Sequence, residues 1–142
     1  TGMSYSDTQR FDIRQYKKVD GVWTSNQERV KTGVAYVSVL LPPVVDVLER
    51  HGWQVPQMPN QKYNCLLKTF GAVLGIDGMH SHLARHTFAT YMLSNGAKIE
   101  NVSRMLGHTN IVQTQRYAKV QAKEVYDDYD KAAEKLEKKK KG

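Results

Sequence analysis

A group of basic side chains in the second half of the chain has the types that phosphate chemistry uses. His82, Arg85 and His86 lie three and four positions apart, so a helix would present them on one face. Arginine offers phosphate oxygens a permanently charged, bidentate fork. The two histidines also have the spacing of a zinc pair, but the glutamate of a His-Glu-x-x-His motif is absent and Arg85 would repel the metal. The group therefore favours an anion site.

Two further candidates follow along the chain. His108 comes directly after Gly107, which is expected to end a helix, so the imidazole should lie on a loop held by that helix. Tyr117 stands nine residues later, in the sequence Gln-Arg-Tyr-Ala. Taken singly, such a histidine is more often a polar cap and such a tyrosine a packing residue. Their weight comes from their order and spacing.

Taken together, the order and spacing of these residues resemble the catalytic signature of a known family. His82-x-x-Arg85-His86, then Leu-Gly-His108-Thr, then Gln-Arg-Tyr117-Ala, resemble the catalytic signature of the tyrosine recombinases, the phage integrase family. The resemblance extends over essentially the whole chain and is strongest to the integrases of Bacteroidetes mobile elements. It implies an enzyme for site-specific DNA recombination and integration, which breaks and rejoins strands through a covalent 3′-phosphotyrosine and a Holliday junction.

The resemblance implies a role for each matching position. Tyr117 corresponds to the nucleophile, and Arg85 to the arginine that grips the scissile phosphate. His82 is the histidine of the His-x-x-Arg motif, and His108 corresponds to the later histidine, which donates a hydrogen bond to a non-bridging oxygen. Lys31, at the turn of a β-hairpin, corresponds to the lysine that protonates the leaving 5′-oxygen.

The chain departs from the family pattern at its start. The family opens with Thr-Gly-x-Arg and an acidic residue three positions on, whereas here Ser4 replaces the arginine and Asp7 keeps the acidic position. We expect Asp7, like His86, to support the catalytic groups from behind. Arg29 could supply the missing charge, because it lies two residues before Lys31 and so on the same strand face. Alternatively, Arg29 is an exposed strand residue of a basic protein.

The reaction requires these side-chain types independently of any family. A phenol that attacks a phosphodiester builds up negative charge on the phosphate oxygens, which preorganised cations stabilise. Tyrosine has an ordinary pKa of about 10, so its proton must be drawn away. A lysine with a lowered pKa suits the leaving oxygen as a general acid. We expect no metal and no other cofactor, since no cluster of carboxylates suggests two-metal chemistry.

Composition agrees with a polyanionic partner. The chain of 142 residues carries 21 Lys and Arg against 14 Asp and Glu, a net charge of +7, although Lys138 to Lys141 alone could be a solvated tail. We expect double-stranded DNA and other protomers, in a tetramer, as partners. The lone Cys65, expected in the core, suits the reducing bacterial cytoplasm, near the nucleoid. No apolar run approaches the ~20 residues of a membrane span.

The sequence patterns around these residues predict an α+β fold, which is mainly helical with a small antiparallel three-stranded sheet. Asp20-Gly21 and Thr32-Gly33 are turn signals within a β region at 11–41, and alternation in 35–41 predicts a strand with one buried face. Pro42-Pro43 begins the helical part. We predict helices over 43–51, 60–74, 81–95 with Ser81 as N-cap, 98–106, after Asn110, and 121–137.

We divide the chain into a catalytic domain, 1–120, and a C-terminal helix with a basic tail, 121–142. The abrupt start suggests a piece of a longer protein, without the N-terminal core-binding domain of the family. Val125, Tyr129 and Leu136 are either part of a solvated helix or contacts to a neighbouring protomer. Two other functions are open. Ser4 would suit a non-catalytic DNA-binding accessory or regulatory factor, and similar chemistry would serve a topoisomerase.

Overall fold

The computed structural model describes residues 1–118 and has the predicted α+β architecture: helices beside a three-stranded antiparallel sheet of order β1-β2-β3. Its elements are α1 (Tyr5–Thr8), β1 (Lys17–Val19), β2 (Val22–Glu28), β3 (Ala35–Val39), α2 (Pro42–Arg50), α3 (Asn60–Leu74), α4 (Ser81–Ser94), α5 (Ile99–Leu106) and the helical residues 112–118, called α6 below. A 3₁₀ turn covers Ile13–Gln15. The predicted helix at 121–137, with Val125, Tyr129 and Leu136, lies outside the described residues.

The sheet forms where the turn signals predict it. Asp20 and Gly21 both have positive φ, 48° and 82°, as a tight two-residue hairpin requires, and they bring Val19 opposite Val22. The buried face of β3 is the one that carries Tyr36 and Ser38. The opposite face, with Val37 and Val39, is less buried. The face with Tyr36 and Ser38 can be buried because its polar atoms are bonded; for example, Ser38 Oγ lies 2.7 Å from the Tyr16 hydroxyl.

Two apolar clusters hold the elements together. One joins α4 to α5, and the other joins the sheet to α2. The first contains Phe88, Ala89, Leu93, Val102 and Leu106, and the second contains Tyr16, Leu40 and Leu48. Burial of such side chains stabilises a fold by about 1.5–3 kcal/mol each. Because Leu106 is the last residue of α5, the first cluster fixes the end of that helix, next to the site described below.

Helix α4 begins differently from the prediction. The N-cap is His80, and Ser81 is the first helical residue, so the prediction of Ser81 as the cap is wrong. Asn64 of α3 explains the difference, since its side-chain oxygen accepts a hydrogen bond of 2.9 Å from the Ser81 N–H. An acceptor from a neighbouring helix thus replaces a local cap.

Helix α3 has the predicted bounds, but its apolar side is open within residues 1–118. Phe70, Val73 and Leu74 are 56%, 79% and 64% exposed. Cys65 is exposed as well, which contradicts its expected place in the core. Helical spacing predicts that a helix has an apolar face but not what covers that face. Every helix in residues 1–118 falls short of the length and apolar character that crossing a membrane requires.

Candidate active site

The candidate catalytic and supporting residues that the sequence indicated all line one hollow. It lies between α1, the β2–β3 loop, α4 and the segment that joins α5 to α6. Its walls are formed by Ser4, Asp7, Arg29, Lys31, Thr32, His82, Arg85, His86, Gly107, His108, Thr109, Gln113, Arg116 and Tyr117. Side chains up to 113 positions apart in the chain thus meet at one surface, and half of the lining residues are Lys, Arg or His.

Arg85 is held in a set orientation at the wall of the hollow. It projects from the middle of α4 and is half-buried. Its Nη1 donates to the carbonyl oxygen of Gly2 at 2.7 Å, and its Nη2 donates to that of Leu106 at 2.5 Å. A guanidinium has five N–H donors, so two such bonds orient the group and leave donors for an anion.

Arg29 lies deeper in the site than predicted. Strand β2 ends at Glu28, so Arg29 and Lys31 do not share a strand face: Arg29 is turned inward, 7% exposed, while Lys31 is exposed in the loop. The prediction of a shared face is therefore wrong, and so is the alternative of an exposed strand residue. The Arg29 guanidinium donates to Asp7 and to the Leu106 carbonyl oxygen, and it lies 4.6 Å from the centre of the Tyr36 ring.

Asp7 is the buried acceptor for this corner of the site. Its Oδ2 accepts from Arg29 and from the Ser4 hydroxyl at 2.6 Å, and its Oδ1 accepts from the Val30 N–H at 3.0 Å. Burial raises the pKa of Asp7, but the hydrogen bonds from Ser4, Val30 and Arg29 outweigh it and lower the pKa below its ordinary value. Ser4 is also the N-cap of α1, and it forms a capping box with Asp7.

The end of α5 attracts both arginines. The last carbonyls of a helix lack partners within the helix and carry a partial negative charge. Arg29 and Arg85 satisfy the Leu106 carbonyl together. Gly107 then turns the chain with φ 59°, and a Cβ there would lie 2.7 Å from Arg29 Nε, so glycine is required for both conformation and space.

His108 follows that turn and is oriented by a residue that the sequence did not single out. Its Nδ1 lies 2.7 Å from the hydroxyl of Thr114, which is fully buried in α6. If the hydroxyl donates this bond, the neutral ring carries its proton on Nε2. Burial, followed by the charges of Arg29 and His86, lowers the pKa of His108. The signal for Thr114 was its place three residues before Tyr117, on the same helical face.

Tyr117 lies on α6, half-buried against the α4–α5 cluster. Burial raises the pKa of its phenol, although the charge of Arg116 opposes the shift. The Tyr117 hydroxyl lies 2.5 Å from Nδ1 of His86. No sequence pattern indicates this contact, because the two residues are 31 positions apart and belong to different helices.

Lys31 and His82 stand at the open side of the hollow, both exposed. They also line an adjoining hollow along α3 and the start of α4, which contains Asn64, Lys68 and His80. The two hollows share Lys31, His82, Arg85 and Ser4, so they form a continuous basic surface. Within residues 1–118, no three His, Cys, Asp or Glu side chains are grouped as a metal ion would need.

Comparison with known families identifies the region that contains most of the site. The model of the Phage integrase family matches residues 47–124, more than half of the chain. Tyrosine recombinase XerC of Chlorobaculum tepidum is 49% identical over 51 residues, which are 36% of this chain and 15% of the relative. Tyrosine recombinase XerA of Thermococcus onnurineus is 42% identical over 67 residues, 47% of this chain and 23% of the relative. The chain therefore spans a minor part of these relatives.

Solved structures share the fold. The XerH recombinase bound to a palindromic difH substrate, in a post-cleavage complex, superposes with a TM-score of 0.72 at 14% identity, covering 91% of this chain and 42% of that one. The XerA recombinase superposes with a TM-score of 0.71 at 20% identity, covering 91% and 52%. The predicted fold class is thus confirmed. The closer resemblance to integrases of Bacteroidetes elements stays a prediction.

Proposed function

Since the chain belongs to the phage integrase family, we propose that it cleaves and rejoins double-stranded DNA, with Tyr117 as the nucleophile. The observation that supports this most is the convergence of the phenol with His82, Arg85, His108 and Lys31 around one hollow. These types are the ones that a phosphoryl transfer without a metal requires: a nucleophile, fixed cations and a general acid.

In the proposed reaction, the Tyr117 oxygen attacks the phosphorus of a DNA backbone phosphate and forms a 3′-phosphotyrosine. Arg85 and Nε2 of His108 donate to the non-bridging oxygens, whose negative charge grows in the transition state. His82 adds a third donor from the same face of α4 as Arg85. Lys31 protonates the leaving 5′-oxygen, and its position in an exposed loop leaves it free to reach that atom.

We propose that Arg29 replaces the charge of the arginine that Ser4 lacks. It lines the hollow beside Arg85 and shares the Leu106 carbonyl with it. Two of its five donors are used by the protein, and it is almost fully buried. It therefore acts chiefly through charge at the floor of the hollow, where a low dielectric strengthens attraction to a phosphate.

The adjoining hollow gives a path for the DNA backbone beyond the cleaved phosphate. Lys68 and His80 lie along it and could contact further phosphates. The solved structures with a similar fold include recombinases bound to DNA substrates. By the same relationship we propose that this protein acts on double-stranded DNA as a tetramer, in the bacterial cytoplasm at the nucleoid, with residues 121–142 as a separate C-terminal helix and tail.

A covalent trap tests the proposal. Short nicked duplexes of randomised sequence lose the fragment beyond the cleavage point, so the phosphotyrosine cannot be reversed and accumulates. The 142-residue chain, incubated with this pool at low salt, is expected to form a DNA adduct that resists denaturation. Tyr117→Phe should abolish the adduct and leave DNA binding nearly unchanged, while Tyr91→Phe, at an exposed tyrosine of α4, should form it normally.

Three results would each contradict a part of the proposal. Adduct formation by Tyr117→Phe would remove Tyr117 as the nucleophile. A wild-type chain that binds DNA tightly but forms no adduct would instead indicate the accessory, non-catalytic function that Ser4 suggested. Relaxation of supercoiled plasmid without a recombination site would point to a topoisomerase.

A further inference from the structure

The proposed reaction needs a group that takes the proton of the Tyr117 phenol. Among residues 1–118, Nδ1 of His86 lies 2.5 Å from the phenol oxygen, where it can accept that proton. The two ring centres are 5.4 Å apart and the planes are inclined by 51°. The two atoms are within hydrogen-bonding distance, as a general base and the group that it deprotonates must be.

We infer that His86 is a catalytic base, which accepts the proton of Tyr117 as the phenol oxygen attacks the phosphate. The inference rests on the proposed function and changes the role expected from the sequence, where His86 was only a supporting residue. It concerns a residue that touches the reacting oxygen itself.

The other groups of the hollow are less suited to this role. Asp7 is the carboxylate among the described lining residues, and its oxygens are occupied by Arg29, Ser4 and the Val30 N–H. The lysine and arginines there act as cations and hydrogen-bond donors, not as acceptors of a proton. Nδ1 of His108 is bonded to Thr114.

His82 is the remaining imidazole. Its ring centre is 6.4 Å from that of His86, and the described phenol contact is made by His86.

The position of His86 on α4 links the base to the phosphate. Arg85 is its neighbour in the same helical turn, and the bonds of Arg85 to Gly2 and Leu106 hold that turn in place. A phosphate bound by Arg85 would therefore lie beside the phenol that His86 holds. Such positioning brings two reactants together before reaction and lowers the entropic part of the barrier.

The step balances in atoms and charge. The Tyr117 oxygen forms a bond to phosphorus while its proton passes to Nδ1 of His86, whose other nitrogen already carries a proton. The bond from phosphorus to the 5′-oxygen breaks, the electron pair stays on that oxygen, and Lys31 supplies its proton. When a 5′-hydroxyl attacks the phosphotyrosine, the neutral Lys31 takes the proton of that hydroxyl. His86 then returns its own proton to the departing phenol.

Matched substitutions separate a base from a support. His86→Ala is expected to slow adduct formation on the nicked duplexes by about 10²-fold, the usual contribution of a general base. His86→Gln can still accept a hydrogen bond from the phenol but cannot take its proton, so it should remain slow. Added imidazole should restore part of the rate to His86→Ala only. His51→Ala, at an exposed histidine after α2, is the control and should react normally.

A second substrate distinguishes the base from the acid. In a duplex with a bridging 5′-sulfur at the cleaved phosphate, the leaving thiolate is stable enough to depart without a proton. Lys31→Ala should then cleave almost as fast as the wild type, because the acid is no longer needed. His86→Ala should stay about 10²-fold slower, because the attacking phenol still needs a base.

The outcomes keep the two proposals apart. If the wild type forms no adduct, the proposed function fails and the role of His86 fails with it. If the wild type reacts but His86→Gln reacts equally fast, or imidazole gives no rescue, His86 only positions the phenol and the inference is overturned. If the sulfur substrate rescues His86→Ala as fully as Lys31→Ala, His86 acts at the leaving group instead, and the inference is likewise overturned.

Discussion

Ser4, Asp7 and Arg29 at the floor of the hollow show how the structure accommodates a serine where the family pattern has an arginine. Ser4 binds the Asp7 carboxylate through its hydroxyl, and Arg29 reaches the same oxygen from the β2–β3 loop. A buried charge that loses its partner is costly, about 3–5 kcal/mol. The carboxylate therefore keeps a cation beside it although position 4 carries none.

The role of Arg29 predicts a rescue. Arg29→Ala should reduce adduct formation on nicked duplexes by about 10²-fold, the loss expected when one stabilising group of the transition state is removed. Adding Ser4→Arg to that variant should recover part of the rate, because a cation returns beside Asp7. Thermal unfolding of each variant shows whether it is folded. Near-normal cleavage by a folded Arg29→Ala variant would contradict the role.

Asp7 predicts an acid-dependent stability. Hydrogen bonds from Ser4, Val30 and Arg29 hold its pKa below the ordinary value despite burial. Its contribution is therefore complete above about pH 4 and is lost as the pH falls through the lowered pKa of the folded state. Asp7→Asn should lower the unfolding midpoint at pH 7 and flatten its decline in acid.

The control for this prediction is Asp12→Asn. Asp12 pairs with Arg14 at the surface, where an ion pair contributes little, so its midpoint should hardly change. If Asp7→Asn and Asp12→Asn gave the same pH profile, the buried pair would not govern acid stability.

At the scale of elements, the end of α5 organises the site. Its last carbonyl binds two arginines, its terminal glycine leaves room for one of them, and His108 follows at once. Helix α6 then places Thr114 in hydrogen-bond contact with His108, and Tyr117 in hydrogen-bond contact with His86. One helix end and the short segment after it thus position Arg29, Arg85, His108 and Tyr117 in the hollow.

Gly107→Ala tests this arrangement. Alanine at φ 59° costs about 1–2 kcal/mol, and its Cβ would also displace Arg29. Gly96→Ala has the same conformational problem, φ 82°, but its Cβ meets nothing within 4 Å. Both variants should lose stability in denaturant unfolding, whereas only Gly107→Ala should lose cleavage, by about tenfold or more. Equal cleavage by the two variants would show that Arg29 tolerates displacement.

At the scale of the molecule, the site joins elements from the whole described chain. The α4–α5 cluster and the sheet–α2 cluster are each local, but α1, the β2–β3 loop, α4 and α6 meet at the hollow. The basic surface extends from it along α3. A protein that binds DNA by such a surface releases counterions, so its affinity falls steeply with salt.

Lys68 provides the test of this surface. Lys68→Gln should weaken DNA binding for all sequences alike. It should also reduce the slope of log affinity against log salt by about 1, the contribution of one phosphate contact. Lys98→Gln is the control, because Lys98 stands at the opposite end of α5 from the site and should leave the slope unchanged. Fluorescence anisotropy with labelled duplexes at several salt concentrations measures both. An unchanged slope for Lys68→Gln would exclude this path for the backbone.

Sequence patterns alone were enough for the elements and for the identity of the candidate residues. Turn residues, prolines and helical spacing predicted α2, α3, α5 and the hairpin to within about a residue or two, because such signals are local properties of the chain. The set of His82, Arg85, His108 and Tyr117 could be chosen because its types and order resemble those of a family. Their roles stay predictions.

Only the tertiary structure decided which of these side chains touch. It turned Arg29 inward onto Asp7, brought Asn64 to the start of α4, and placed His86 against Tyr117. It also left the apolar side of α3 open within residues 1–118. Periodicity specifies the face of an element, whereas a contact between distant residues depends on how elements pack, and no local pattern of residues contains that information.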